Sequence, residues 1–113
     1  MDGLQEKALG ILARLGAQPA TSFSEKGVAA VAMSVLNESS VDFESDKFGN
    51  VIARLPGRSR DGRIPPIAFV AHLDHPGFEV IARDGDFLVG KALGGVPTAS
   101  FNEGVPLQVV LPN

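Results

Sequence analysis

The chain has 113 residues, a formal net charge of -3, two histidines and no cysteine. That length makes one domain, which buries roughly two-thirds of its unfolded surface, and leaves no room for a second complete one. The mild acidity, without a lysine-arginine cluster, argues against nucleic acid or an anionic membrane as main partner. The lack of cysteine excludes disulfides and thiol nucleophiles and leaves imidazole and carboxylate to hold any metal. No apolar run reaches the roughly 20 residues of a membrane span, and "MDGLQEKALG" lacks the basic start and apolar stretch of a signal peptide, so the expected location is cytoplasmic.

From the N-terminus, Leu4, Ala8, Leu9, Leu12 and Leu15 form one helical stripe that Gly16 is placed to stop, which predicts a helix over 3–15. In "SFSE", Ser22 and Glu25 have capping-box spacing. A second helix is expected over 23–38, with Val28, Val31, Ala32, Val35 and Leu36 on its buried face. After Ser40 the period changes. "VDFESD" alternates as a half-exposed strand does, and residues 41–55 read as a strand pair around a turn at Gly49 and Asn50. "PGRSRDGRIPP" is a solvated loop.

Residues 67–72, "IAFVAH", are apolar up to the histidine, the pattern of a strand covered on both faces in an α/β sheet, with chemistry at its carboxyl end. From Gly77 onward, short strand-like runs at 78–82, 87–89 and 105–111 alternate with glycine, proline and an Arg-Asp-Gly-Asp turn, the texture of a β module that is still incomplete at the last run. The unpaired strand edges of such a piece predict self-association.

The chemistry concentrates in "AHLDHPG". If the strand continues past His72, Asp74 faces the same way, because strand side chains alternate with period two. The imidazole can give a lone pair to zinc while the carboxylate orients the ring. The same spacing suits a histidine hydrogen-bonded to a loop, and the residues alone leave both readings open. His75 reads as lining the site or the surface, since a His-x-x-His metal pair suits a helix face better than a strand end followed by proline. The remaining acids sit in strand or turn contexts where solvation explains them.

"DKFGNVIARLPG", then "PPIAFVAHLDHPGFEV", then "VGKALGGV" resemble the N-terminal part of the dinuclear-zinc aminopeptidases of the tetrahedral, glutamyl- and deblocking-aminopeptidase type. That family's pattern is a strand pair with Asp-x-x-Gly-Asn, a buried strand ending Ala-His-x-Asp, then Gly-Phe-x-Val and a Gly-Gly segment entering an inserted β-barrel domain. Acylase and carboxypeptidase relatives share His-x-Asp but lack the Gly-Phe-x-Val entry. The resemblance covers nearly the whole chain. It implies that His72 is the first zinc ligand and Asp74 the acid that orients the metal-bound site. It also implies that the bridging aspartate, the glutamate pair holding the general base, a further acidic ligand and a second histidine follow the inserted domain, beyond these 113 residues. Glutamate usually follows the aspartate; here His75 and Pro76 stand there, which bears on substrate preference rather than on metal binding.

The implied fold is the N-terminal part of an α/β/α catalytic domain over 1–76, with two helices and mixed-sheet strands, running into the start of an inserted β domain over 77–113. The implied function is hydrolysis of N-terminal residues from peptide substrates by metal-activated water, with two ions of zinc, or of cobalt or manganese, in the full enzyme, which is a homo-oligomer. One histidine and one aspartate fall short of the roughly three ligands each ion needs, so this chain alone is expected to be inactive and to bind zinc weakly or not at all. The alternative is a free-standing, non-catalytic binding or assembly module built on the same front half.

Overall fold

A computed structural model describes residues 3–57 and 67–111. Among them the chain forms two helices and two small antiparallel sheets, a mixed α/β arrangement. No helix is long and apolar enough to cross a membrane among the described residues. The expected 56–66 loop lies outside the described residues from Arg58 onward.

Helix α1 spans Gly3–Gly16 and α2 spans Lys26–Glu38. The face expected on α2 is the one covered: Val28 and Ala29 are buried, and Val31, Ala32, Val35 and Leu36 half-buried. On α1 the expected stripe is largely solvent-facing. Leu4, Ala8, Leu9 and Leu12 are exposed; of the stripe only Leu15 is half-buried, together with Ile11, its i−4 neighbour outside the stripe. The helices are joined by a fork-to-fork ion pair, with both Arg14 terminal nitrogens donating at 2.7 Å to the two Glu38 oxygens. Ser34 donates to the same carboxylate at 2.8 Å.

Helix α2 starts three residues later than the capping-box pattern predicts. Ser24 N–H donates to the Thr21 carbonyl at 2.8 Å, closing a turn, and the Glu25 carboxylate accepts from Phe23 N–H at 2.7 Å. Ser22 is engaged elsewhere, and the helix starts at Lys26 with Glu25 at its N-cap and no side-chain cap. At the other end Ser40 takes the left-handed conformation, φ 51°, and Val41 N–H returns to the Leu36 carbonyl at 2.9 Å, a Schellman closure.

Strands β1, Phe43–Ser45, and β2, Val51–Ala53, pair antiparallel around the expected turn. Asp46 organises that turn. Its carboxylate accepts from the amides of Phe48 and Asn50 and from the Asn50 side chain at 2.8–2.9 Å, while Gly49 supplies φ 89°. Strands β3, Gly77–Asp84, and β4, Phe87–Leu93, form the longer hairpin, joined by Gly85-Asp86, with Gly85 at φ 59° and a bulge between Val80 and Ala82. Phe78 on β3 meets Phe101 edge-on at 5.6 Å.

Two expected strands are absent. Residues 67–72 join no ladder, and Phe69 and Val70 are 96% and 93% exposed rather than covered on both faces. Residues 105–111 are likewise irregular and exposed. A strand needs a neighbour for its backbone groups, and the two sheets present are separate two-stranded ribbons, not one mixed sheet. The buried set is correspondingly small: Ala20, Val28 and Ala29 among the described residues. The chain exposes 9927 Å², where a compact domain of this length exposes about 6,000 Å².

Two outcomes follow from this packing. A Cβ at Gly77 collides with the Thr21 side chain, whereas one at Gly95 meets nothing within 4 Å. In urea denaturation followed by circular dichroism, Gly77→Ala is expected to lose about 1–3 kcal/mol, Gly95→Ala nothing comparable, and added Thr21→Ser is expected to recover part of the loss. The Arg14 and Ser34 hydrogen bonds hold the Glu38 carboxyl at about 2, below its ordinary 4.5. Because the folded value is depressed, the ion pair's contribution is complete above 4.5 and fades as the pH falls toward 2. Helical circular dichroism over that window is expected to show a small acid loss, small because the pair is exposed, which Glu38→Gln removes.

Candidate metal centre

Two segments far apart in sequence meet here. Thr21 and His75 form a parallel β-bridge, and His75 N–H donates to the Ala20 carbonyl at 2.8 Å. Ala20 N–H answers by donating to Nε2 of the His75 ring at 3.1 Å. Nδ1 of that ring lies 3.0 Å from the Pro76 carbonyl, which only accepts, so Nδ1 carries the proton and Nε2 the lone pair. Both nitrogens of His75 are thus occupied by backbone. It borders the site by fastening residues 20–22 against 74–77, with no lone pair left for a metal.

His72 is the opposite case. Its Nδ1 lies 3.0 Å from Oδ1 of Asp74 and 2.9 Å from the Asp74 carbonyl. Both partners accept, so in the neutral ring Nδ1 donates and the lone pair sits on Nε2. The side chain is 84% exposed, against 32% for Asp74. A ring held through Nδ1–H by a carboxylate, with Nε2 open, is the form in which histidine binds a metal ion. Asp74 is itself held: Ser22 Oγ donates to Oδ2 at 2.6 Å. The Ser22 hydroxyl and, after it, His72 keep the Asp74 carboxyl below its ordinary value, so it is a carboxylate at neutral pH.

The structure therefore brings His72 and Asp74 together without a strand at that point and turns His75 toward Ala20. It adds Ser22, which the capping-box reading assigned to a helix start. Gly77, whose missing side chain lets Thr21 approach, makes room for the contact, but nothing in the sequence ties it to Ser22. Gly94 approaches as well: a Cβ there stands 3.6 Å from Pro76 Cα and 3.7 Å from Ser22 Oγ. No group of three or more His, Asp or Glu side chains converges as a metal cage among the described residues.

Comparison with protein-family models, with curated proteins and with solved structures returns no match to this chain.

The geometry offers one open imidazole, and a catalytic zinc takes about three protein ligands. After exhaustive dialysis the 113-residue chain is expected to hold no stoichiometric zinc, and His72→Ala is expected to be indistinguishable from it. Metal analysis that finds one tightly held zinc in the parent and none in the variant shows instead that a cage is completed within the chain or between copies.

Proposed function

We propose that the chain is the N-terminal portion of a zinc-dependent aminopeptidase and that it supplies the first ligand of a dinuclear site. The observation that carries this reading is the Nδ1 contact of His72 with Asp74, which leaves Nε2 open at an exposed rim. The resemblance of "IAFVAHLDHPGFEV" to the ligand-bearing strand of that family supports it. In this reading residues 1–76 belong to an α/β/α catalytic domain and residues 77–113 open the inserted β domain. The exposed run 67–71 becomes a central strand when the sheet is complete. The enzyme is cytoplasmic and homo-oligomeric.

His72 holds a metal through Nε2, and Asp74 fixes the ring and raises its basicity by accepting from Nδ1. Zinc supplies Lewis acidity that polarises a peptide carbonyl and makes water nucleophilic at neutral pH; cobalt and manganese suit nitrogen and oxygen ligands as well. The substrate is a peptide with a free N-terminus.

The test uses the protein at the full length its gene encodes, loaded with zinc or cobalt and offered aminoacyl p-nitroanilides and short peptides. Release of the N-terminal residue is expected, with loss on chelation and recovery on metal return. Asp74→Ala is expected to cost about 10- to 100-fold, and His72→Ala more than that. Absence of aminopeptidase activity, or activity that survives chelation or His72→Ala, overturns the reading.

A further inference from the structure

The hydroxyl of Ser22 has a local use available, at the start of α2, and does not take it. Helix α2 begins at Lys26 with no side-chain cap, while Ser22 Oγ reaches 52 residues along the chain to Oδ2 of Asp74 at 2.6 Å. The backbone around Ser22 is arranged for that reach. Phe23 holds φ 73°, a left-handed conformation rare for a bulky residue, and its side chain gains no burial in return, being 92% exposed. Strain kept without a packing gain points to function at the position it serves. The turn is locked on both sides, by Ser24 N–H on the Thr21 carbonyl and by Glu25 on Phe23 N–H. The bridge of Thr21 with His75 then sets Ser22 beside Asp74.

We infer that Ser22 is a positioning residue for His72: by holding one oxygen of Asp74 it reserves the other for Nδ1–H of the histidine. A carboxylate with two equivalent free oxygens can rotate about its χ2 bond and lose a single weak partner. Pinned through Oδ2, the Asp74 group presents Oδ1 at 3.0 Å from Nδ1, and the Asp74 carbonyl at 2.9 Å reinforces the same tautomer. The lone pair of His72 is thereby kept on Nε2, open for a ligand. Ser22 touches neither the metal nor the substrate and acts only through Asp74. The role for the lone pair rests on the aminopeptidase reading; the control of the tautomer does not.

The test is made on the metal-free 113-residue chain, labelled with ¹⁵N, at a pH where both rings are neutral. Long-range proton-nitrogen spectra report each histidine's tautomer. The parent is expected to show His72 mainly as the Nδ1–H form. Ser22→Ala is expected to raise its Nε2–H share several-fold, Ser22→Thr to restore the parent spectrum, and His75 to remain unchanged in both. A subsequent Zn²⁺ titration, read at the His72 ring signals, is expected to show binding weakened about three- to tenfold in Ser22→Ala and recovered in Ser22→Thr. Amide spectra of the β3–β4 hairpin, matched between variants, separate the effect from misfolding. An unchanged His72 tautomer in Ser22→Ala, or an equal change at His75, overturns the inference while leaving the aminopeptidase reading intact. A shifted tautomer in a full-length protein without metal-dependent activity upholds the inference and overturns that reading.

Discussion

The junction of residues 20–22 with residues 74–77 is the constraint on which the rest depends. It is a single parallel bridge reinforced by a side chain: His75 exchanges a backbone bond and a ring bond with the one residue Ala20. Ala20 is among the few buried residues of the chain, 2% exposed, so these bonds are shielded from water at the point where they matter most. The close approach requires glycine at position 77, and Gly94, at φ 73° just past β4, lies beside Pro76 and Ser22. Removing the junction detaches the helix pair from the β3–β4 hairpin and parts Ser22 from Asp74. Fold and site are therefore one contact seen from two sides.

Among the described residues little else ties the parts together. Hydrophobic burial is normally the dominant favourable contribution to folding, yet here most large apolar side chains face solvent. The ion pair between α1 and α2 has good bidentate geometry, but both partners are substantially exposed, and water and salt screen such pairs so that they add little. The surface exposed beyond that of a compact domain is larger than a standard protein interface buries. The molecule carries apolar surface suited to being covered, including that of 67–71 and 105–111, where the backbone also lacks ladder partners.

What the sequence made legible divides along the range of the interaction involved. Helix α2 and its covered face, the Asp46-to-Asn50 turn and the β3–β4 hairpin all follow from signals within about ten residues: periodicity, an Asx-type turn and a Gly-Asp link. The runs 67–72 and 105–111 have the composition of strands, but a strand is a property of two segments, and the described residues supply no second one. The α1 stripe went astray for a related reason. Periodicity names an apolar face, while the neighbours decide which part is covered: within the stripe only Leu15 is half-buried, with Ile11 beside it outside the stripe. At the site, the pairing of His72 with Asp74 was readable from spacing, although the strand alternation invoked for it is absent. Ser22 was not readable, because the capping pattern explains a serine followed three residues later by glutamate equally well.

The two histidines show how position within one short segment separates structural from chemical use. Asp74 lies between them and pairs with His72. A carboxylate accepts from Nδ1 of His72, two residues back, because that ring remains in solvent and folds onto the Asp74 carbonyl as well. His75 cannot do the same, since its own backbone is paired to Ala20 and its ring is drawn across the bridge to the Ala20 amide. Proline at position 76 contributes only a carbonyl, which fixes the proton of His75 on Nδ1 and turns the Nε2 lone pair inward to accept the Ala20 amide. For His72 the same proton position has the opposite result, because nothing caps its Nε2 among the contacts it makes. One tautomer, set at His75 by the Pro76 carbonyl and at His72 by the Asp74 carboxylate together with its carbonyl, thus closes one histidine and opens the other. The open ring is the one whose carboxylate partner is already held by Ser22, so the imidazole best placed to bind a ligand is also the one with the longest chain of support behind it.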